Sequence, residues 1–421
     1  MALGAAREYE RLAASRSFWP GFDPLVIPLA IYDGRSTWLF RHPARPADFE
    51  GSPISSIRSD VREGRHPAVT ANSSAEIGGI VTATLLADGT RDKLTSRELA
   101  AVALHEAFHV FQRKQHPTWQ ANEGDLLLYP VEDAKLLALR RLETEALRRA
   151  LAAPTTARAA CLGRLTMDYR TRRFGAMDSA FVAYERGTEL NEGLAAYVQL
   201  LALGRTTVDV PRQGFAPADV RLRSYTIGPA IAFLLDRIRP RWQHSLEAHD
   251  RQKLDEVLAG ALVGAVKSPN GGCAIPAAEV NAITRQAQRD AAGVVTSRIA
   301  RRKAFDARPG GRVIIVAAEG KPLWPQGFDP LNIERVSDGV LHSRFVAIGN
   351  ETCKATAIDE DGVDIEAFTE GFGPHPLFNG IRRAVIAGLA KPVVTPNGDR
   401  VTITTSGLQL DCVRGQITVM P

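Results

Sequence analysis

Two histidines and a glutamate occupy one short segment of the chain, at His105, Glu106 and His109. The surrounding stretch, Leu99 to Phe111, has the apolar composition of a buried helix, in which each residue advances by about 100°. His105 and His109 are then about 40° apart and one turn above each other, while Glu106 lies about 60° from His109. Two imidazoles at this spacing can bind one zinc ion, and the carboxylate between them can reach a water on that ion. The spacing therefore predicts a zinc site with a carboxylate base.

A purely structural explanation of these three residues is less favourable. Two core histidines beside an unrelated glutamate would leave an ionised carboxylate on a buried helix without a partner, which is costly. Gln112, one turn beyond His109, faces the same side of the helix. It is either a hydrogen-bond partner of the site or an ordinary polar residue near the helix end.

Three further glutamates, Glu185, Glu189 and Glu192, are candidates for the next ligand. Two histidines leave a tetrahedral zinc ion short of one protein ligand and one water. The glutamates are four and three residues apart, so on a helix they share one face within about 60°. Like charges at this spacing repel unless a positive group lies opposite, and a zinc ion would supply it. Periodicity does not choose among the three, and a solvated acidic stripe is the alternative.

The histidine pair and the later glutamate together resemble a known group of enzymes. His105-Glu106-x-x-His109, followed by the segment Asn191 to Ala195, resembles the gluzincin metallopeptidases, which carry the zincin signature and take a third ligand from a Glu on a following helix. The resemblance implies His105, His109 and Glu192 as zinc ligands and Glu106 as the general base. It covers about residues 70 to 240 and implies Zn²⁺ as the cofactor.

A second motif lies downstream, in the segment Tyr225 to Gly228. It resembles the Tyr-x-x-Gly of gluzincin aminopeptidases, in which the tyrosine hydrogen-bonds the oxyanion of the tetrahedral intermediate. The resemblance implies a catalytic role for Tyr225, and a structural tyrosine is the alternative.

The expected function is hydrolysis of peptide bonds in peptide or protein substrates by a zinc-activated water. Two other functions remain open. A catalytically inactive zincin-fold binding or scaffold protein would bind zinc without turnover, and a zinc hydrolase of a non-peptide amide would be exposed by substrate profiling. The sequence does not choose between endopeptidase and exopeptidase activity, and it gives no oligomeric state.

The expected fold class is α+β, with a zincin-like, mainly helical catalytic domain at 91–308 between two β-rich parts. The N-terminal β-rich region, 1–90, is expected to contain a hairpin at residues 27–40 and a loop at 43–66. It ends in the strand Ile80 to Leu86, expected to be either a substrate-binding edge strand or an ordinary core strand. The C-terminal β-rich domain, 309–421, begins where short β runs start to alternate with turn residues.

Helix signals surround the candidate ligands. Thr95 to Glu98 is a capping box that begins the histidine helix, and His116-Pro117 ends it. Further helical periodicity is present at residues 131–152 and 184–203. The predicted helices thus place the histidines and the glutamates on separate elements.

Composition limits the remaining possibilities. A net charge of +5 over 421 residues is small, and the basic residues are dispersed on helix-like segments, so we expect no nucleic-acid partner. No apolar run reaches the length of a membrane span. The N-terminal segment lacks the apolar core of a signal peptide, so a cytoplasmic location is expected. The alternative is a secreted or periplasmic location, if a signal was trimmed.

The four cysteines are Cys161, Cys273, Cys353 and Cys412, and they show no Cys-x-x-Cys spacing. A cysteine zinc site is therefore not expected. Cys353 and Cys412 could pair in an oxidising compartment, but reduced core thiols are the expected state.

Overall fold

A computed structural model describes residues 1–52, 57–87, 94–265, 273–329, 332–336, 338–358, 365–390 and 394–420. The fold class is α+β, as predicted. The chain divides into two units: a first unit of Met1–Asn122 and Lys135–Ala287, and a second unit of Glu123–Ala134 and Gln288–Pro421.

The described helices are, in chain order, α1 Ala2–Ser15, α2 Ser96–Gln115, α3 Glu123–Leu128, α4 Ala134–Leu151, α5 Thr156–Phe174, α6 Ser179–Thr188, α7 Leu194–Ala202, α8 Val220–Ile238, α9 Gln243–Ala248, α10 Leu254–Val263 and α11 Ala277–Asp306. A π-helical turn, Glu189–Gly193, joins α6 to α7. Short 3-10 helices lie at Pro24–Val26 and Arg414–Gln416.

The described strands are β1 Leu29–Tyr32, β2 Ser36–Phe40, β3 Glu50–Gly51, β4 Ser59–Glu63, β5 Ser73–Ile77, β6 Ile80–Leu86, β7 Gly311–Val316, β8 Trp324–Phe328, β9 Ile333–Arg335, β10 Val340–His342, β11 Phe345–Gly349, β12 Cys353–Ile358, β13 Glu366–Gly371, β14 Ile381–Leu389, β15 Val394–Asn397, β16 Arg400–Thr405, β17 Leu408–Val413 and β18 Ile417–Met420.

The N-terminal β region does not form a unit separate from the helices, in contrast to the predicted boundary at residue 90. Its six-stranded sheet has the order β3-β4-β2-β1-β6-β5. Buried side chains of β1 and β6, such as Ile31 and Leu85, share one hydrophobic core with Leu104 of α2. Because that core removes apolar surface from water on both the sheet and the helix, the two fold as one body.

The predicted hairpin at 27–40 is confirmed by antiparallel pairing of β1 with β2. The stretch 43–66, predicted as loop, contains β3 and β4, and β4 pairs with β2. These strands are short and carry charged residues, so they lack the β-branched runs on which the prediction depends.

Of the two alternatives for the strand Ile80 to Leu86, the structure contradicts the edge strand and places it inside the sheet. It is β6, which pairs with β1 on one side and β5 on the other. The edge is β5, which turns back into β6 through Gly78 and Gly79. Both glycines have positive φ, 54° and 78°, the conformation that a two-residue hairpin turn demands. The glycine pair therefore closes a hairpin.

Helix α2 begins and ends where the sequence predicts. Thr95 Oγ1 accepts a hydrogen bond from the backbone N–H of Glu98, and Glu98 accepts one in return from Thr95 N–H at 2.8 Å. Phe108 of α2 packs on aromatic rings, with its ring centroid 5.1 Å from that of Phe22. Helix α1, for which no sequence pattern was predicted, packs along α2 through buried alanines and Tyr9.

The second unit contains the predicted C-terminal β strands, arranged in two six-stranded antiparallel sheets with the orders β18-β7-β14-β13-β10-β9 and β15-β16-β17-β12-β11-β8. Side chains from both sheets, such as Ile315 and Ile348, lie in one core together with Leu127 of α3. Helix α11 continues from the first unit into the second. The sequence passes from the first unit to the second within α11, between Ala287 and Gln288. The predicted boundary at residue 308 lies after the end of that helix.

All four cysteines are disulfide-bonded, Cys161 to Cys273 and Cys353 to Cys412. The expectation of reduced thiols is wrong. Cys353 and Cys412 are opposite each other in the β12–β17 register, and the Cα atoms of Cys161 and Cys273 are 5.8 Å apart, a separation that a disulfide spans. Both bonds depend on tertiary contacts between residues distant in sequence.

We expect protein equilibrated in an oxidising glutathione buffer and then denatured to bind no alkylating reagent, and to bind four equivalents after reduction. Each disulfide is expected to contribute about 2–4 kcal/mol to stability. Mass spectrometry of the alkylated chain measures the count. The double substitution Cys161→Ser with Cys273→Ser should leave one bond intact, and alkylation of Cys353 or Cys412 without reductant would contradict the assignment.

Among the residues that the structure describes, none of the helices combines the length and the apolar composition that a membrane span requires.

Candidate metal centre

Three side chains from two elements of the first unit meet at one point. His105 and His109 project from α2, and Glu192 projects from the π-helical turn. The Nε2 atoms of the two histidines are 3.1 Å apart. Glu192 Oε2 lies 3.7 Å from His105 Nε2 and 3.3 Å from His109 Nε2. The structure therefore brings together the three residues that the resemblance implies as ligands.

These separations fit one small metal ion. Ligand atoms at 2.0–2.1 Å in tetrahedral geometry are about 3.3 Å from one another, close to the three observed distances. All three side chains are buried, and they form a group of possible metal ligands within the described part of the chain. Without an ion, two imidazole nitrogens would face each other beside a carboxylate, an arrangement that burial makes costly. The donor set is suited to a divalent transition metal.

The π-helical turn gives Glu192 a direction different from that of the other two glutamates. A π turn bonds residue i to i+5 and so contains one residue more than an α-turn. Residues after it are rotated relative to those before it. Glu185 and Glu189 face arginines, whereas Glu192 faces the histidines. The prediction that all three share one face is wrong because it assumed regular α-helical spacing.

Glu185 and Glu189 belong to a buried ionic cluster, which we call the arginine–glutamate cluster. Glu189 accepts two hydrogen bonds from Arg170, at 2.5 and 2.8 Å. Glu185 is paired with Arg173 and Arg223. The cluster contains three carboxylates and three guanidinium groups, all at most 2% exposed: Glu143, Glu185, Glu189, Arg170, Arg173 and Arg223. These arginines, not a metal ion, are the positive groups opposite the two glutamates.

Glu143, at the centre of the cluster, bonds all three of its arginines. Burial alone would raise the pKa of Glu143, but the guanidinium charges outweigh it and hold that pKa far below the usual range. The same balance, with Arg173 and Arg223 as the charges, lowers the pKa of Glu185 to about 2. Glu143 and Glu185 are therefore ionised at neutral pH, whereas burial outweighs the charge of Arg170 and raises the pKa of Glu189. The cluster fixes the segment that precedes Glu192.

Gln112 orients one of the histidines. Its Oε1 accepts a hydrogen bond from His109 Nδ1 at 2.8 Å, which directs Nε2 toward Glu192. Its Nε2 donates to the carbonyl oxygens of Leu190 and Asn191, at 2.9 and 3.0 Å. Gln112 is only 1% exposed. Of the two predicted alternatives, the structure selects the partner of the site, which links α2 to the π-helical turn.

Replacing Gln112 by leucine is expected to weaken metal binding by about 10- to 100-fold, because His109 loses the acceptor that fixes its tautomer and ring orientation. A zinc titration against a chromophoric chelator measures the change. Gln115→Leu, at the exposed last residue of α2, is the matched control and should leave the affinity unchanged. Equal affinities of wild type and Gln112→Leu would contradict this role.

Glu106 is buried beside the ligands but forms no hydrogen bond or ion pair with any described residue. Its side chain is 7% exposed. Burial raises the pKa of Glu106, and the charge of Glu192 adds to the effect, while the two histidines oppose it. A buried carboxylate of raised pKa and unused hydrogen-bonding capacity can act as a base.

Tyr225 lies on α8 with its ring parallel to that of His105, at a centroid distance of 6.0 Å. Burial raises the pKa of Tyr225, and the nearby Glu192 carboxylate raises it further. The phenol therefore stays protonated at neutral pH, and its hydroxyl is within reach of the Glu192 carboxylate as well as of Arg221.

Sequence reasoning missed Arg221, a residue of α8 that contacts both Glu192 and Tyr225. Its Nη2 donates to Glu192 Oε1 at 2.7 Å, and its Nη1 donates to Tyr225 Oη at 2.9 Å. Burial would raise the pKa of Glu192, but its contacts with the histidines and the charge of Arg221 hold that pKa well below the usual range. The spacing of Arg221 and Tyr225, one helical turn, was an available signal.

The glycines of the two motifs explain how Glu192 and Tyr225 come together. A Cβ on Gly193 would lie 2.8 Å from the Cα of Gly228 and 3.1 Å from the carbonyl oxygen of Ser224. The π-helical turn and α8 therefore cross at a distance that only glycine permits. Glu192 directly precedes one of these glycines, and Tyr225 lies one turn before the other.

Comparison of the chain with protein-family models, with curated proteins and with solved structures found no match in any of the three.

Proposed function

We propose that the protein is a zinc-dependent metallopeptidase of the gluzincin type, with His105, His109 and Glu192 as the zinc ligands. One observation carries the proposal: a carboxylate oxygen from a second element lies within 3.7 Å of both histidine Nε2 atoms. A two-histidine, one-carboxylate set that leaves a fourth position open is typical of catalytic zinc sites.

Zinc held by these residues would supply Lewis acidity, which polarises a carbonyl oxygen and lowers the pKa of a bound water to about 7. The carboxylate of Glu106 takes the proton of the attacking water and delivers it to the nitrogen of the leaving amine. A raised pKa makes the carboxylate a stronger base for the first of these steps. Tyr225 donates a hydrogen bond from its hydroxyl to the carbonyl oxygen on which negative charge develops.

A peptide substrate would bind in extended form along the edge strand β5. This strand is the sheet edge next to the hairpin partner β6, and Arg113 of α2 hydrogen-bonds Ser74 of β5. An open edge offers unpaired N–H and C=O groups that a peptide backbone can pair with. We therefore assign to β5 the substrate-binding role that was considered for Ile80 to Leu86.

The two disulfides support an oxidising compartment, because such bonds are rare where thiols are kept reduced. We therefore favour a secreted or periplasmic location over the cytoplasm.

The proposal is tested by incubating the wild-type protein with a mixed peptide library and identifying new termini by mass spectrometry. We expect cleavage that stops after dialysis against a chelator and returns on addition of zinc. Bound zinc without any cleavage would favour the binding or scaffold protein. Cleavage of acyl amides other than peptides would favour the non-peptide hydrolase.

A further inference from the structure

Arg221 is placed to act on two members of the metal centre at once. The planar guanidinium group presents its N–H donors in a fixed fork. One branch of that fork is bonded to Glu192 Oε1 and the other to Tyr225 Oη. The Arg221 side chain is 22% exposed, whereas that of Glu192 is 8% exposed, so the contact is shielded from most of the solvent.

The first branch decides which oxygen of Glu192 is available. Oε1 is occupied by Arg221 at 2.7 Å, and Oε2 is the oxygen that faces both histidines. A charge-assisted hydrogen bond of this length is roughly twice as strong as a neutral one. Arg221 thereby holds the carboxylate in a rotamer that offers a single oxygen to a metal ion.

The second branch decides how Tyr225 uses its hydroxyl. A phenol has one hydrogen to donate and an oxygen that accepts. Because Arg221 can only donate, Tyr225 Oη is the acceptor in their 2.9 Å contact. The phenolic hydrogen is therefore directed to a different acceptor. On α8 the donor and the acceptor are four residues apart, about one turn, so their side chains are neighbours on the helix surface.

We propose that Arg221 is a positioning residue that makes Glu192 a one-oxygen metal ligand and simultaneously orients the Tyr225 hydroxyl as a donor. The inference rests on the proposed zinc site, and its ligand part does not require peptide hydrolysis. Lysine would not replace arginine here, because a single ammonium group lacks the planar fork that bonds both partners.

The test uses Arg221→Met, which removes both donors, and Arg221→Lys, which keeps the charge. Leu222→Ala, at an adjacent exposed position of α8, is the control for helix integrity, and circular dichroism checks folding of every variant. Zinc affinity is measured by competition with a chromophoric chelator. We expect Arg221→Met to bind zinc about 10- to 100-fold more weakly, Arg221→Lys to be intermediate and Leu222→Ala to match the wild type.

A second readout reports the coordination itself. With Co²⁺ in place of zinc, the visible absorption of the wild type should be that of a four-coordinate site. In Arg221→Met, release of Oε1 lets both oxygens of Glu192 approach the ion, so the absorption should weaken as the coordination number rises. If Arg221→Met fails to fold, the cobalt absorption of Arg221→Lys is compared with that of the wild type instead.

A third readout addresses Tyr225. If the wild type cleaves peptides, Tyr225→Phe should lower kcat in the wild-type background and have little further effect in the Arg221→Lys background, because the hydroxyl is already misdirected there. Additive effects of the two substitutions would overturn the orienting role.

Wild-type zinc affinity together with an unchanged cobalt spectrum in folded Arg221→Met would overturn the ligand role. A wild type that binds zinc but cleaves nothing would refute the proposed peptidase, while the metal readouts would still decide the ligand role of Arg221. A wild type that binds no metal would refute both.

Discussion

Glu106→Gln is expected to reduce kcat for peptide cleavage by about a hundredfold to ten-thousandfold while zinc remains bound. Glutamine has nearly the same shape as glutamate but cannot accept a proton at its amide oxygen under these conditions, so general acid–base catalysis is lost. Glu106 contributes no ligand atom to the group formed by the two histidines and Glu192. Its substitution should therefore separate chemistry from metal binding.

The measurement is a single-turnover rate with a peptide identified from the library, alongside the zinc content of the same preparation. Glu63→Gln, at an exposed position of β4 in the same unit, is the matched control and should cleave at the wild-type rate. A zinc-loaded Glu106→Gln protein as active as the wild type would rule out Glu106 as the base.

Glu143→Gln is expected to destabilise the first unit by about 3–5 kcal/mol. The substitution removes the carboxylate that pairs with all three arginines and leaves three buried guanidinium groups facing two carboxyl groups. Breaking a buried pair by removing one partner typically costs this much, because the remaining charge is uncompensated. The same change should loosen the π-helical turn, since Glu185 and Glu189 depend on the shared arginines.

Urea denaturation followed by native-state hydrogen exchange in α5 measures this loss. Asp168→Asn removes an exposed ion pair with Arg172 on the same helix, so its expected cost is below about 1 kcal/mol. Equal stabilities of the Glu143→Gln and Asp168→Asn proteins would mean that the cluster contributes little.

The part of the site that could be predicted is the part governed by helical periodicity. His105, Glu106 and His109 lie within one regular α-helix, so their spacing alone placed them on one face. Glu192 could not be separated from its two neighbours in the same way. A π-helical turn interrupts the period between Glu189 and Glu192, at the point where the chain packs closely on α8.

Features that depend on distant pairings were predicted poorly. The position of β6 inside the sheet follows from its parallel pairing with β1, about fifty residues earlier. The bond from Cys161 to Cys273 joins residues 112 positions apart. Neither the strand pairing nor this disulfide produces a pattern in the sequence around the residues involved. The C-terminal β-rich domain, by contrast, carries β-branched runs between turn residues, and strands such as β7 and β16 form there.

The zinc content of the purified protein tests the central claim most directly. After dialysis against limiting zinc and a competing chelator, elemental analysis should find one zinc ion per chain in the wild type and in Glu106→Gln, and strongly reduced zinc in Glu192→Gln, because the amide is a poor substitute for a carboxylate ligand. A zinc-free wild type, or a Glu192→Gln protein that retains zinc with wild-type affinity, would contradict the account.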